Sequence, residues 1–187
     1  TVNTVCGAGL HAVALGAQSI MLGESLVVLA GGAESASGNP YLTLKAPAQV
    51  SPEDFKDSLM TDGLTCAISG QKMGEIMEAL VKKHAISRER QDAFAVESHH
   101  KAYQAYQKRL EVGEVIPVAA TKSKILDIDE CIRKNSSGPS LASLHGVFSD
   151  KGTLTAGNSS APCDGAAVVC LAGGDTIRKY QWKPAAR

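Results

Sequence analysis

Two continuous apolar runs constrain this chain more than any other feature. Leu26–Ala30 is apolar throughout and ends in Gly31 and Gly32, and Ala166–Leu171 is apolar throughout and is soon followed by Gly173 and Gly174. Neither run alternates with polar residues, so each reads as a strand covered on both faces. From about residue 37 to 60 such runs vanish, and Gly38, Pro40, Pro47 and Pro52 punctuate the text. The two ends of the chain are therefore expected in one sheet, with an excursion between them. The expected boundaries are 1–44 and 152–187 for the sheet-bearing part and 45–151 for the insertion.

Residues 1–5, TVNTV, read as a short strand. GLHAVALGAQSIMLGE follows with helical spacing, and Leu10, Ala14, Ala17 and Met21 share one face. Gly23 reads as the stop of that helix. Strand, helix and strand within the first 32 residues predict a parallel βαβ unit. Inside the insertion, SGQKMGEIMEALVKKH predicts a helix with Lys82, Lys83 and His84 at its end, where positive charge suits the dipole. Ser87 is the expected N-cap of a longer helix through RERQDAFAVESHHKAYQAYQKRL, with Glu89 in its first turn. Ala95, Ser98, Ala102 and Ala105 form a small-residue stripe suited to close packing. EVIPVAATK, residues 114–122, reads as an edge strand interrupted by Pro117. The expected fold class is α/β: part of a βαβ core with a mixed sheet, plus an inserted α+β loop domain.

Composition removes several function classes. The chain has 187 residues with 19 basic and 19 acidic side chains, which gives no reason to expect nucleic acid or an anionic membrane surface as a partner. No apolar run approaches the ~18 residues of a membrane span. The five cysteines, Cys6, Cys66, Cys131, Cys163 and Cys170, are irregularly spaced and form no C-x-x-C pair. Free thiols of a reducing intracellular compartment are the simplest reading, with the cytoplasm first and mitochondrion or peroxisome as the other compartments. No metal site is expected.

Cys6 sits between a β-branched run and the helix that Gly7-Ala-Gly9 opens. Two readings stand at this point. It is a small buried packing residue, or it is a nucleophile. The first N–H groups of a helix and its dipole favour a thiolate at that junction. A strand-to-helix turn lifts the side chain clear of the sheet, as in the nucleophile elbow of serine hydrolases.

Five segments in collinear order resemble the thiolase superfamily. VNTVCGAGLHAV and LAGGAESAS are similar to its V-N-x-x-C-x-S-G-(L/M) and G-G-x-E-x-M-S patterns. DSLMTDGLTCAISGQKMG is similar to D-G-L-x-D-A-F…H-M-G, ISRERQDAFAVESHHKA to S-R-E-x-Q-D-x-F-A-x-x-S, and GTLTAGNSSAPCDGAAVV to G-T-V-T-A-G-N-A-S-x-x-x-D-G-A. The resemblance implies a thiolase-like fold and a reversible Claisen condensation of two acetyl-CoA to acetoacetyl-CoA, or thiolysis of a 3-ketoacyl-CoA, with Cys6 as the acyl-accepting nucleophile. Substrates are then acyl-CoA and coenzyme A, with no resident cofactor. It also implies a homodimer or homotetramer.

The same resemblance places Leu64 in the pantetheine tunnel, Met73 near the acyl pocket, Arg133 and Ser143 near the coenzyme A nucleotide, and Ser160 on pantetheine. Lys72 stands where short-chain members have His, beside the pantetheine path. Ala8 replaces a Ser, Ala36 a Met, and Cys66 an Asp. Cys163 and Cys170 are expected as core thiols, and His99, His100 and His145 as solvated surface residues. The family's G-H-P, N-E-A-F and C-x-G-x-G motifs do not occur in these residues. The stretch thus corresponds to the middle of a thiolase, without its C-terminal domain, and is expected to lack turnover by itself. A longer-chain 3-ketoacyl-CoA thiolase and a non-catalytic coenzyme A-binding protein remain the other readings.

Overall fold

The computed structural model describes residues 1–120 and 124–186. They divide into two compact units, one of Thr1–Thr65 with the chain from Pro162 onward, the other of Cys66–Ala161.

The first unit is built on helix α1 (Ala8–Met21), strand β1 (Val27–Glu34) and a strand from the far end of the chain, Gly165–Ala172. β1 and that strand pair antiparallel over their full length, from Val27 opposite Ala172 to Glu34 opposite Gly165. This bears out the shared sheet, while among the described residues the parallel βαβ expectation fails because residues 1–5 form no ladder with β1. Residues 1–5 make a single isolated bridge, Thr4 to Cys6, in place of a ladder. The reason is local: Val5 turns into the left-handed region at φ 54°, which ends any extended run.

α1 stops as read from the sequence. Gly23 has φ 75°, its N–H donates to Ile20 O, and Glu24 N–H reaches Ser19 O, the paired closure that a left-handed glycine permits. The face expected inward is corrected. Leu10 is 78% exposed and Met21 84%. The helix instead buries Gly16 and half-buries Ala12, Val13, Ala17 and Ile20. A Cβ at Gly16 would lie 3.0 Å from both Leu171 Cδ1 and Val28 Cγ1, so helix and sheet meet at their smallest residue. α1 covers one face of the strand pair, with Ala30 buried beneath it. On the other face Leu29 is 72% and Val168 67% exposed. The strands are therefore covered on one face rather than two, and Cys170 is exposed, as is Cys163, contrary to the core role expected of both.

Strands β2 (Tyr41–Leu42) and β3 (Lys56–Asp57) form a second antiparallel pair in this unit. Asp57 Oδ1 accepts from Asn39 Nδ2 at 2.6 Å and from the Leu59 N–H at 2.9 Å, and Lys45 pairs with Asp54 at 2.7 Å. These bonds keep residues 45–65 with the first unit, beyond the boundary expected at 44.

The second unit holds α2 (Met73–Lys83), α3 (Arg88–Glu111), strands β4 (Val118–Ala119) and β5 (Ile125–Leu126), and α4 (Gly138–Ala142). In the first unit, β6 is the Gly165–Ala172 strand and α5 follows it (Gly174–Tyr180). α2 starts at Met73 because Lys72 is extended, with ψ 147°, and it ends in Lys82 and Lys83 as expected. Ser87 Oγ accepts the Arg90 N–H at 3.3 Å, the capping role read from the sequence. α3 turns Asp92 and Tyr106 inward. Ala95 and Ala102 of the small-residue stripe are half-buried, but Ser98 and Ala105 are exposed, so packing runs along a neighbouring line. The strand expected at 114–122 shrinks to the two residues of β4; Thr121 and Lys122 lie outside the described residues. Among the described residues, no helix is long and apolar enough to cross a membrane.

Candidate active site

Cys6 is exposed and lies two residues before the first residue of α1. The backbone turns sharply there. Asn3 Oδ1 accepts the Val5 N–H at 2.9 Å, and the Gly7 N–H returns to Thr4 O at 3.1 Å. Val5 is β-branched, and a positive φ for such a residue costs about 1–3 kcal/mol. Strain is thus concentrated at the residue before the thiol. The first turn of α1 has no acidic residue, and its N-cap makes no side-chain hydrogen bond. The Ala8 N–H already donates to Val5 O at 3.0 Å and the His11 N–H to Gly7 O at 2.9 Å, and the dipole of α1 favours a negative group at this end. The packing reading of Cys6 does not survive its exposure.

Leu64 also belongs to the first unit. It is half-buried and closes the π-helical turn Leu59–Gly63, its N–H donating to Leu59 O. The other sequence-predicted residues belong to the second unit. Lys72 precedes α2, its N–H donating to Glu75 Oε2 at 2.9 Å. Met73 opens the helix and is 45% exposed. Behind them the Phe148 ring lies on Gly74, where a Cβ would meet three ring atoms at 2.3–2.4 Å. Ser143 ends α4, its hydroxyl donating to Ser140 O. Arg133 is exposed; its N–H donates to His99 Nδ1 at 3.2 Å, and Nη1 reaches Ala156 O at 3.5 Å. That last contact brings Arg133 to the loop carrying Ser160, which is exposed.

His99 is half-buried rather than solvated. Burial, with the charges of Arg133 and His100 beside it, pulls its protonation below the ordinary histidine range. His145 and His100 are exposed as expected, although His100 Nε2 lies 3.1 Å from Ser136 O. Cys66 is half-buried, and the Ser69 hydroxyl, with the Ser69 and Ile68 N–H groups, pulls its thiol below the ordinary cysteine range.

Sequence reasoning missed a buried polar network beneath this surface. Asp92, 3% exposed, accepts from Arg88 Nε at 2.8 Å and from Asn158 Nδ2 at 2.9 Å. Arg88 Nη2 donates to the carbonyls of Leu141 and Leu144. Glu78 accepts the N–H groups of Thr153 and Leu154. The available signal was an acidic residue on the inward line of α3, within the SRERQD segment.

Residues 1–175 match the family model described as thiolase, N-terminal domain. A Staphylococcus aureus (strain N315) protein named probable acetyl-CoA acyltransferase is 39% identical over 192 residues, covering all of this chain and 49% of that protein. The crystal structure of human mitochondrial 3-ketoacyl-CoA thiolase in complex with CoA superposes with a TM-score of 0.87 at 34% identity, over 98% of this chain and 47% of that one. The acetyl-CoA acetyltransferase from Syntrophomonas wolfei gives a TM-score of 0.85 at 31% identity, over 96% and 46%. This chain therefore spans about half the length of the relatives it matches.

Proposed function

Because the chain belongs to the thiolase family, we propose that it carries the acyl-accepting half of a coenzyme A-dependent acyltransferase, with Cys6 as the nucleophile. The observation that carries this reading is the exposed thiol on a strained turn at the uncapped start of α1. The Cys6 thiolate attacks the thioester carbonyl of acetyl-CoA, the thioester C–S bond breaks, and coenzyme A leaves as its thiolate. The α-carbon of a second acetyl-CoA, having lost a proton to a base, attacks the acyl-enzyme. That step forms acetoacetyl-CoA and returns Cys6 as the thiolate. The reverse direction is thiolysis of a 3-ketoacyl-CoA. Covalent catalysis divides one difficult step into two.

Coenzyme A thioesters are the substrates in this proposal, and no resident cofactor is required. The resemblance to the family is what supports Leu64, Lys72, Met73, Arg133, Ser143 and Ser160 as coenzyme A contacts. The protein works inside the cell, in the cytoplasm first, as a homodimer or homotetramer. Preference for a longer 3-ketoacyl-CoA is the second reading, favoured by the likeness to the human mitochondrial 3-ketoacyl-CoA thiolase. Intact mass spectrometry after incubation with acetyl-CoA tests the nucleophile. One acetyl group mapping to Cys6, and lost in Cys6→Ala, is expected. An adduct that persists in Cys6→Ala would sink the assignment.

A further inference from the structure

We infer that Asp92 is a positioning residue for coenzyme A binding, acting through Asn158 on the loop that carries Ser160; the inference rests on the coenzyme A reading of Ser160 given above. Asp92 is almost fully buried, and a buried carboxylate needs partners for both oxygens. Oδ1 accepts from Asn158 Nδ2 at 2.9 Å. The same Asn158 amide donates to Thr153 O at 3.0 Å, and its Oδ1 accepts the Thr155 N–H at 2.7 Å. Thr155, fully buried, accepts the Gly157 and Asn158 N–H groups on its hydroxyl. Residues 153–158 are thereby folded upon themselves; Asp92 and Gln91 hold them to α3, Gln91 Nε2 donating to Thr153 Oγ1 at 3.1 Å, and Glu78 holds Thr153 and Leu154 to α2, so that Asp92 is the anchor at Asn158. Ser160 follows two residues later.

The second oxygen of Asp92 holds Arg88, whose Nη2 donates to Leu141 O at 2.6 Å and Leu144 O at 3.0 Å. Those carbonyls flank Ser143. Asp92 is thus linked, through Asn158 and through Arg88, to the backbone beside two serines that the proposed function places on coenzyme A. Buried ion pairs stabilise a fold weakly compared with apolar packing of the same volume, whereas they fix geometry through direction. A loop that must present a hydroxyl at a set position draws on that second property.

The test is calorimetric titration of coenzyme A into the full chain, with folding of each variant verified by circular dichroism. Asp92→Asn keeps the shape but sets an amide NH2 against either Arg88 or Asn158. It is expected to weaken coenzyme A binding about tenfold, the equivalent of one lost charge-assisted hydrogen bond. Ser160→Ala is expected to weaken binding as well, and the double variant to lose less than the sum of the two single losses, because part of the effect of Asp92 passes through Ser160 and part through Arg88. Such non-additivity means that Asp92 acts through Ser160. Unchanged affinity in Asp92→Asn, or fully additive losses, would overturn the inference, since general loosening of the unit would add to the loss at Ser160. Absence of binding by the unaltered chain would overturn the coenzyme A reading itself, and this inference with it. Should Asp92→Asn fail to fold, Asn158→Ala breaks the link next to Ser160 while leaving Arg88–Asp92 in place, and it carries the same cycle.

Discussion

Replacing Gly74 by alanine sets two magnitudes against each other. In a helix interior, Gly→Ala stabilises by about 0.8–1 kcal/mol, and less in the first turn, where Gly74 stands. The opposing effect is steric. The new methyl would lie 2.3 Å from Cδ1 and Cε1 of Phe148 and 2.4 Å from Cγ, whereas carbon atoms rest at about 3.5–4.0 Å. The ring must withdraw by roughly 1.2 Å to reach that contact distance, and forced rearrangements of this kind cost about 1–3 kcal/mol. The clash wins, for a net destabilisation of about 1–2 kcal/mol. For a chain of this length that lowers the melting midpoint by roughly 2–8 °C. Thermal unfolding followed by circular dichroism reads it. In a Phe148→Ala background the obstacle is gone, and Gly74→Ala is expected to be neutral or stabilising by up to about 1 kcal/mol. A rise in midpoint in the unaltered background, or the same loss in both, would refute the reasoning.

Two further outcomes follow from the titrating groups. His99 takes up its proton at lower pH than an unfolded chain would, because of burial and then the charges of Arg133 and His100. Its contribution to stability is present above the ordinary histidine value of about 6.5 and is lost as pH falls through the depressed folded value. Protonation also removes the Nδ1 acceptor that holds the Arg133 N–H. NMR titration of the His99 ring should give a midpoint below the ordinary value, and a midpoint at or above it would contradict this account. Cys66 is expected to react with iodoacetamide near neutral pH, and Ser69→Ala to slow it, because the Ser69 hydroxyl is the main cause of its lowered value. Equal rates in the variant, read by peptide mass spectrometry, would remove Ser69 from that role.

How much was legible in the sequence depended on whether the signal was local. Gly23 stops α1 because a left-handed residue was needed there, and that requirement is written in one letter. Cys6 stood out because a thiol before a glycine-rich helix start has a distinct chemistry. The inward face of α1 was not legible. The helix is apolar almost all round, so periodicity cannot choose a face, and the choice fell to Gly16 because Val28 and Leu171 approach within 3.0 Å of a methyl there. TVNTV has β-branched text, yet the turn at Val5 is set by Asn3 and Thr4, not by propensity. Asp92 left a signal as an acidic residue on the inward line of α3, but its partners were not legible. Asp92 and Asn158 lie 66 positions apart, and nothing in either segment names its partner.

The antiparallel pairing of β1 with β6 has a consequence for the order in which the chain assembles. Val27–Glu34 must wait for Gly165–Ala172, and a contact closed over so long a stretch carries a large loop entropy and forms slowly. The helices of Cys66–Ala161 draw on near-neighbour contacts and are free to form first. During synthesis α1 and the turn at Cys6 therefore emerge before β6 and remain without that strand until Gly165–Ala172 has left the ribosome. The thiol is made well before the strand that completes its sheet.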